Sequence, residues 1–280
     1  MNIKYILQLF CLLGVMVTVT SCDMEQEIEV KLPRLEPQLV VECYLENGKP
    51  IRLTLSESSG YFDAIQPTIV DNATVSITKN DEEPILLTYR LEADVKTQKV
   101  YTYYSTKVIR SQPGDVYKLL ITDPKGRRLT GTTTVLPSIP IDSLGYKFND
   151  KPDESKEAYL LVRWQDDPST RNFYRLLVHK PDTMQVDNVN SLLDREITDE
   201  LQNGKKITYF STYRFKPNDT LTVKLFNAEE AYYRFVSSVE DARRANGNPF
   251  AQPVVINNTV AGGFGVFTHL NYSTKEIILK

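Results

Sequence analysis

Few side chains in this sequence are placed to do chemistry, and the first of them is a cysteine. Cys22 closes the run Val19-Thr20-Ser21-Cys22, an aliphatic residue and two small ones ahead of a thiol. That spacing resembles a lipobox, in which the thiol takes a diacylglyceryl group before a peptidase cuts in front of it. The residues upstream agree with export. Lys4 supplies a positive charge, and an apolar run follows from Ile6 to Val19, broken only by Gln8, Gly14 and Thr18. A secretory signal peptide is therefore expected over residues 1–21. The run is shorter than the roughly 20 residues that span a bilayer and has no counterpart downstream, which excludes a polytopic membrane protein. Lipidation of Cys22 is the expected modification. Three acyl chains at roughly 0.8 kcal/mol per buried CH₂ make such an anchor effectively permanent.

The remaining candidates lack the partners that catalysis or metal binding requires. His179 and His269 have no carboxylate, cysteine or second histidine at ligand spacing, and both fall in apolar strands, so each reads as a strand histidine. A nucleotide loop needs a strand before it, a helix after it and a fixed glycine spacing, whereas Gly262-Gly263-Phe264-Gly265 is followed by a strand. Glycines among Val260, Phe264, Val266 and Phe267 instead predict a bulge or a close backbone approach. Asp166-Asp167 and Asp81-Glu82-Glu83 lack the alternating oxygens and central glycine of a calcium loop and read as solvated turns. No Gly-x-Ser-x-Gly elbow occurs, and there is no local signature of a cysteine or lysine nucleophile. The expectation is a protein that is not an enzyme, with no catalytic residues, no cofactor and no metal.

Tyrosines are abundant, among them Tyr101, Tyr103, Tyr104, Tyr232 and Tyr233. Their rings can stack on sugars or anchor protein interfaces, and they equally suit half-buried strands, where most are expected. Asp142-Ser143-Leu144, Asp182-Thr183-Met184 and Asp219-Thr220-Leu221 look like the three-residue O-glycosylation acceptor of Bacteroidota.

The chain that positions these residues would be 259 residues long after cleavage before Cys22, enough for one large or two modest domains. Loss of Lys4 leaves 32 basic against 36 acidic residues, and this mildly acidic balance offers no basic patch for nucleic acid. Cys11 departs with the signal and Cys22 is acylated, so Cys43 has no intramolecular partner and reads as a small buried hydrophobe. Residues 22–37 form an acidic tether, with Asp23, Glu25 and Glu27 resembling the surface-export signal of Bacteroidota lipoproteins.

From Leu39 the hydrophobic period is two. Val41, Cys43 and Leu45 share a face, Asn47-Gly48 turns, and Ile51, Leu53 and Leu55 return, which predicts a hairpin. Strands follow over 73–79, 85–89, 100–108, 116–122 and 129–135, separated by Asn80-Asp81, Pro113-Gly114-Asp115 and Asp123-Pro124-Lys125-Gly126. Seven short strands without a helical period predict an immunoglobulin-like β-sandwich over residues 38–136. Pro137 and Pro140 cannot sit in a central strand, so a domain boundary is placed there. A second β-sandwich-like domain is expected over 141–280, with strands near 160–164, 173–179, 206–215, 221–226, 254–256, 265–270 and 276–279. Tyr232, Phe235, Val236, Val239 and Ala242 recur at helical spacing and predict one amphipathic helix over about 228–244. Asn227 with Glu230 would cap its start, and Gly247 and Pro249 would stop it.

Several of these motifs together resemble one family. They are the lipobox, Leu39-Val40-Val41-Glu42, Pro113-Gly114-Asp115-Val116-Tyr117, Ile141-Asp142-Ser143-Leu144, Asn248-Pro249-Phe250, Asn257-Asn258 and Gly262-Gly263-Phe264-Gly265. The family is domain-of-unknown-function family 4249 of Bacteroidota lipoproteins; Cys43 stands where a glycine would be expected. The resemblance implies an outer-membrane, lipid-anchored, surface-exposed protein, an accessory of a TonB-dependent outer-membrane β-barrel in nutrient uptake. The alternative is a stand-alone surface lipoprotein that binds a glycan or peptide. Expected partners are thus the membrane, through the lipid anchor, and a TonB-dependent barrel or such a ligand.

Overall fold

The computed structural model describes residues 36–60, 68–95, 98–181, 191–246, 251–252 and 254–280. Cys22, the acidic cluster after it and the Gly247 and Pro249 stop signals lie outside these residues. The described chain is mainly β, with one α-helix.

The period-two pattern of the N-terminal half becomes strands β1 (Leu39–Glu46), β2 (Pro50–Glu57), β3 (Thr68–Ile69), β4 (Thr74–Lys79), β5 (Ile85–Asp94), β6 (Lys99–Val108), β7 (Val116–Thr122) and β8 (Arg128–Thr134). Leu39, Val41, Cys43 and Leu45 of β1 and Ile51, Leu53 and Leu55 of β2 are all buried, as alternation on one face requires. Between the two strands Lys49 N donates to Glu46 O at 3.2 Å, and Gly48 takes the positive φ of +78° that this turn demands. Strand β5 turns the corner between two sheets: Ile85 to Leu87 pair with β4, and Thr88 onward pairs with β6. Strands β1-β2-β6-β5 and β5-β4-β7-β8 thereby enclose a core that includes Leu53, Ile77, Tyr103 and Ile121. This is a β-sandwich.

The C-terminal half adds β9 (Ile141–Phe148), β10 (Ala158–Gln165), β11 (Phe173–His179), β12 (Leu193–Thr198), β13 (Lys206–Phe210), β14 (Thr220–Ala228), helix α1 (Glu230–Ala245), β15 (Val260–Ala261) and β16 (Phe264–Ile278). A three-stranded sheet, β13-β10-β9, packs against β12-β11-β14-β16 around Trp164, Leu176, Val223 and Leu225. The opposite face of the second sheet carries Phe173, Leu177 and Phe226, and α1 lies on it through Tyr232.

Strand β16 ties the two halves together. Phe264 to Leu270 run parallel to β1, and Asn271 to Ile278 run antiparallel to β14. Phe267 of this strand belongs to the core of the first sandwich, and residues 36–280 form one compact unit. The Pro137 to Pro140 segment runs between β8 and β9 and is held by side chains. Asn227 Nδ2 donates to Pro137 O at 2.9 Å, Asn271 Nδ2 to Leu136 O at 2.7 Å and Ser273 Oγ to Ile139 O at 2.6 Å.

Four sequence expectations need correction. The separate strands expected at 265–270 and 276–279 are one strand, because the polar run Ser273-Thr274-Lys275 is paired along β14 rather than turned. No strand forms at 254–256, where Val254, Val255 and Ile256 are exposed and unpaired by the sheet. The strand expected over 206–215 ends at Phe210, and Phe215 returns only through a bridge to Ala158. The expected capping box is absent. Asn227 is inside β14, Glu229 is the N-cap residue without a side-chain cap, and Glu230 pairs with Arg234 at 2.6 Å. Tertiary partners for Asn227 and Glu229 outcompete the local cap.

Candidate functional site

The residues singled out in the sequence are dispersed by the fold. Cys43 is fully buried with Sγ 3.9 Å from Arg52 O, and burial pushes its thiol well above the ordinary range, so it is an inert packing group. His179 is buried, its Nδ1 at 3.1 Å from Lys180 O. Asp166 departs from the expected solvated turn. It is 1% exposed, accepting from Tyr174 OH at 2.5 Å and from Gly204 N at 2.7 Å, because it staples the β13 turn to β11. Asp167 accepts from Ser169, and the exposed Asp81 pairs with Lys118. Among the described residues no group of three or more His, Cys, Asp or Glu is placed to hold a metal ion. Ser143 and Thr220 of the glycosylation-like triplets are half-buried in β9 and β14, and Thr183 lies outside the described residues.

The glycine loop is a device for close approach. A Cβ at Gly262 would meet Arg128 O at 2.0 Å, at Gly263 Leu39 O at 2.5 Å, and at Gly265 Val41 O at 1.9 Å. Backbone fills the space that a nucleotide phosphate would need.

One pairing was invisible in the sequence. Ser111 and His269, 158 residues apart, share a hydrogen bond of 3.0 Å between Oγ and Nε2, and Ser111 Oγ also lies 2.9 Å from Tyr117 OH. The imidazole stacks on Tyr117, and burial lowers its pKa to about 4. Its Nδ1 is buried and has no partner among the described residues, so nothing orients the ring as the acid of a triad does. The group is a buried strut between β16 and β7. Beyond Tyr117 an open groove of about 600 Å³ runs between Ile51, Ile85, Lys107 and Arg110 at the end of the first sandwich.

The most elaborated polar arrangement lies where α1 meets β1, β6, β11 and β12. Arg175, 6% exposed within the run Phe173 to Val178, forks onto Asp194 through Nε to Oδ1 at 2.9 Å and Nη2 to Oδ2 at 2.8 Å. Its Nη1 donates to Tyr232 OH, and the Tyr232 ring stands edge-on to Tyr44 at 6.3 Å. Lys99 Nζ sits 4.6 Å over the Tyr44 ring and 2.5 Å from Glu42 Oε1, to which Tyr44 OH also donates at 3.1 Å. A cleft of about 170 Å³ opens between these groups and Phe235, Val236 and Val239 of the helix. On the same sheet face Arg52 covers Tyr101 at 4.0 Å and Arg90 covers Tyr104 at 5.3 Å. Sequence reasoning missed this site, whose members span residues 42 to 243. The only local signal was Arg175, a charge inside the run Phe173 to Val178.

No curated protein matches the chain. A family model does, and it covers both sandwiches, the helix and every residue of the cleft. Matching over residues 25–276, it assigns the chain to the family described as Domain of unknown function (DUF4249), to which this protein belongs.

Proposed function

We propose that this chain is a lipoprotein, anchored in the outer membrane through Cys22 and facing outward, that serves as an accessory of a TonB-dependent transporter barrel in nutrient uptake. The observation that carries the reading is the far end of the β5–β6 hairpin. There Leu91, Val95 and Val100 are 55%, 87% and 43% exposed beside Ala93, and among the described residues the edge of β5 from Thr88 to Asp94 has no strand on its outer side. Single exposed apolar residues are ordinary, but a group at the end of one hairpin is what an interaction surface requires. Arg90 and Glu92 on the same edge, 3.3 Å apart, discourage indiscriminate strand pairing. A lipid anchor confines both partners to one membrane, so a weak docking surface suffices.

The test has two parts. Protease added to intact cells should digest the protein, and mild detergent should recover it with a large β-barrel. Introducing Leu91→Lys with Val100→Lys should abolish that recovery while thermal stability is kept, since both side chains are exposed. Full protease protection, or undiminished recovery of the double variant, would refute the reading.

A further inference from the structure

We propose that the cleft between α1 and the β1–β6–β11–β12 face binds a small alkylammonium compound, with its charge on Glu196 and its aliphatic stem against Phe235, Val236 and Val239. The inference goes beyond the accessory role and does not depend on it. It starts from a charge count within the cleft lining. The cations that reach inward are already matched: Lys99 by Glu42 at 2.5 Å, and Arg175 by both oxygens of Asp194. Glu196 is not. It is half-buried, its carboxylate accepts from its own backbone N–H but has no cation in ion-pair contact among the described residues, and it lines the same cleft as Asp194 and Glu240. Burial, with Asp194 and Glu240 alongside, pushes its carboxyl above the ordinary range against the opposing pull of its own backbone N–H and of Arg175. Glu240 is itself engaged by Arg244 at 3.4 Å. The unmet charge inside the cleft is therefore negative.

The walls decide the rest of the ligand. Phe235 and Val236 continue the apolar stripe of α1 from the buried Tyr232 and pack at the margin of the core beneath the helix, yet neither they nor Val239 is fully buried, and all three line the cleft. Tyr44 supplies a ring on the opposite side. Pockets for drug-sized ligands run to roughly 300–1,000 Å³. At about 170 Å³ this cleft suits one short aliphatic chain with one charged end, not a folded peptide segment. Arg243 stands exposed on the rim, where it would repel a second cation and leave room for a ligand carrying a carboxylate at its outer end.

The experiment uses the full chain and three probes of one length: pentylammonium, pentanol and pentanoate, compared by saturation-transfer NMR and by thermal shift. Pentylammonium should bind in preference to both others. Glu196→Gln, which keeps the shape, should weaken its binding by about tenfold or more, as loss of a charged hydrogen-bond acceptor predicts. Glu200→Gln, on the exposed surface nearby, should leave binding unchanged. No binding of pentylammonium, equal binding of the three probes, or unchanged binding by Glu196→Gln would overturn the proposal. Preference for pentanoate would overturn it too and transfer recognition to Arg243. The barrel pull-down reads none of these quantities, so either idea can fail alone.

Discussion

Replacing Gly265 by alanine should damage this protein far more than the same change at Gly114 or Gly145, and the amount follows from two separable terms. The first is conformational. Gly265 has φ +116°, where an L residue is strained by roughly 1–3 kcal/mol. The second is steric: its Cβ would lie 1.9 Å from Val41 O and 2.9 Å from Val41 C, so β16 must move away from β1 by more than an ångström. Such a shift loosens the parallel pairing at Val41↔Gly265 and the bonds Gly265 N to Asn258 Oδ1 at 2.8 Å and Thr259 N to Gly265 O at 3.1 Å, each worth about 1 kcal/mol net. The sum is about 4–6 kcal/mol, or roughly 10–20 °C in Tm for a chain of this size. Gly114→Ala isolates the first term, because Gly114 has φ +94° and nothing within 4 Å of its Cβ position; it should cost about 1–2 kcal/mol. Gly145→Ala carries neither term, with Leu161 Cβ at an ordinary 3.6 Å, and should be neutral or slightly stabilising. Thermal and urea unfolding followed by circular dichroism orders the three. If Gly265→Ala lies within the error of Gly114→Ala, the β1–β16 approach is not as close as described and the reasoning fails.

Three further outcomes are expected. His269 is held at a pKa of about 4 against 6.5 for the free side chain, so it is neutral in the fold while the unfolded chain takes up a proton below pH 6.5. Its contribution is complete above about pH 6.5 and is lost as pH falls toward 4, by about 3 kcal/mol in all, and His269→Gln should flatten this part of the stability profile measured by urea titration. Arg175→Met removes the forked ion pair from the largely buried Asp194 and should cost about 3–5 kcal/mol, whereas Arg175→Met with Asp194→Leu should recover much of it; equal losses would show that the pair is not coupled. Palmitate labelling of cells should mark the wild type and not Cys22→Ala, and equal labelling would dismiss the anchor.

Local chemistry was legible wherever one strand or turn carries its own signature. The alternation Val41, Cys43, Leu45 against Ile51, Leu53, Leu55 defines the first hairpin because burial on one face of a pleated strand imposes period two. Helix α1 was legible from Tyr232, Phe235, Val236 and Val239, and the glycine loop from its composition, since only glycine permits such backbone approaches. Strand β9 was not, because Asp142, Ser143, Gly145 and Lys147 dilute its pattern, and its pairing with β10 supplies what its composition lacks. Only the tertiary structure decided that β16 serves both sandwiches, that Asp166 is buried beneath Tyr174, and that Ser111 meets His269. The cleft belongs to the same class: Glu42, Lys99, Arg175 and Glu196 are brought together by sheet order and Arg243 by the packing of α1, and a linear sequence records each residue's preference for a face but not which distant face it will meet.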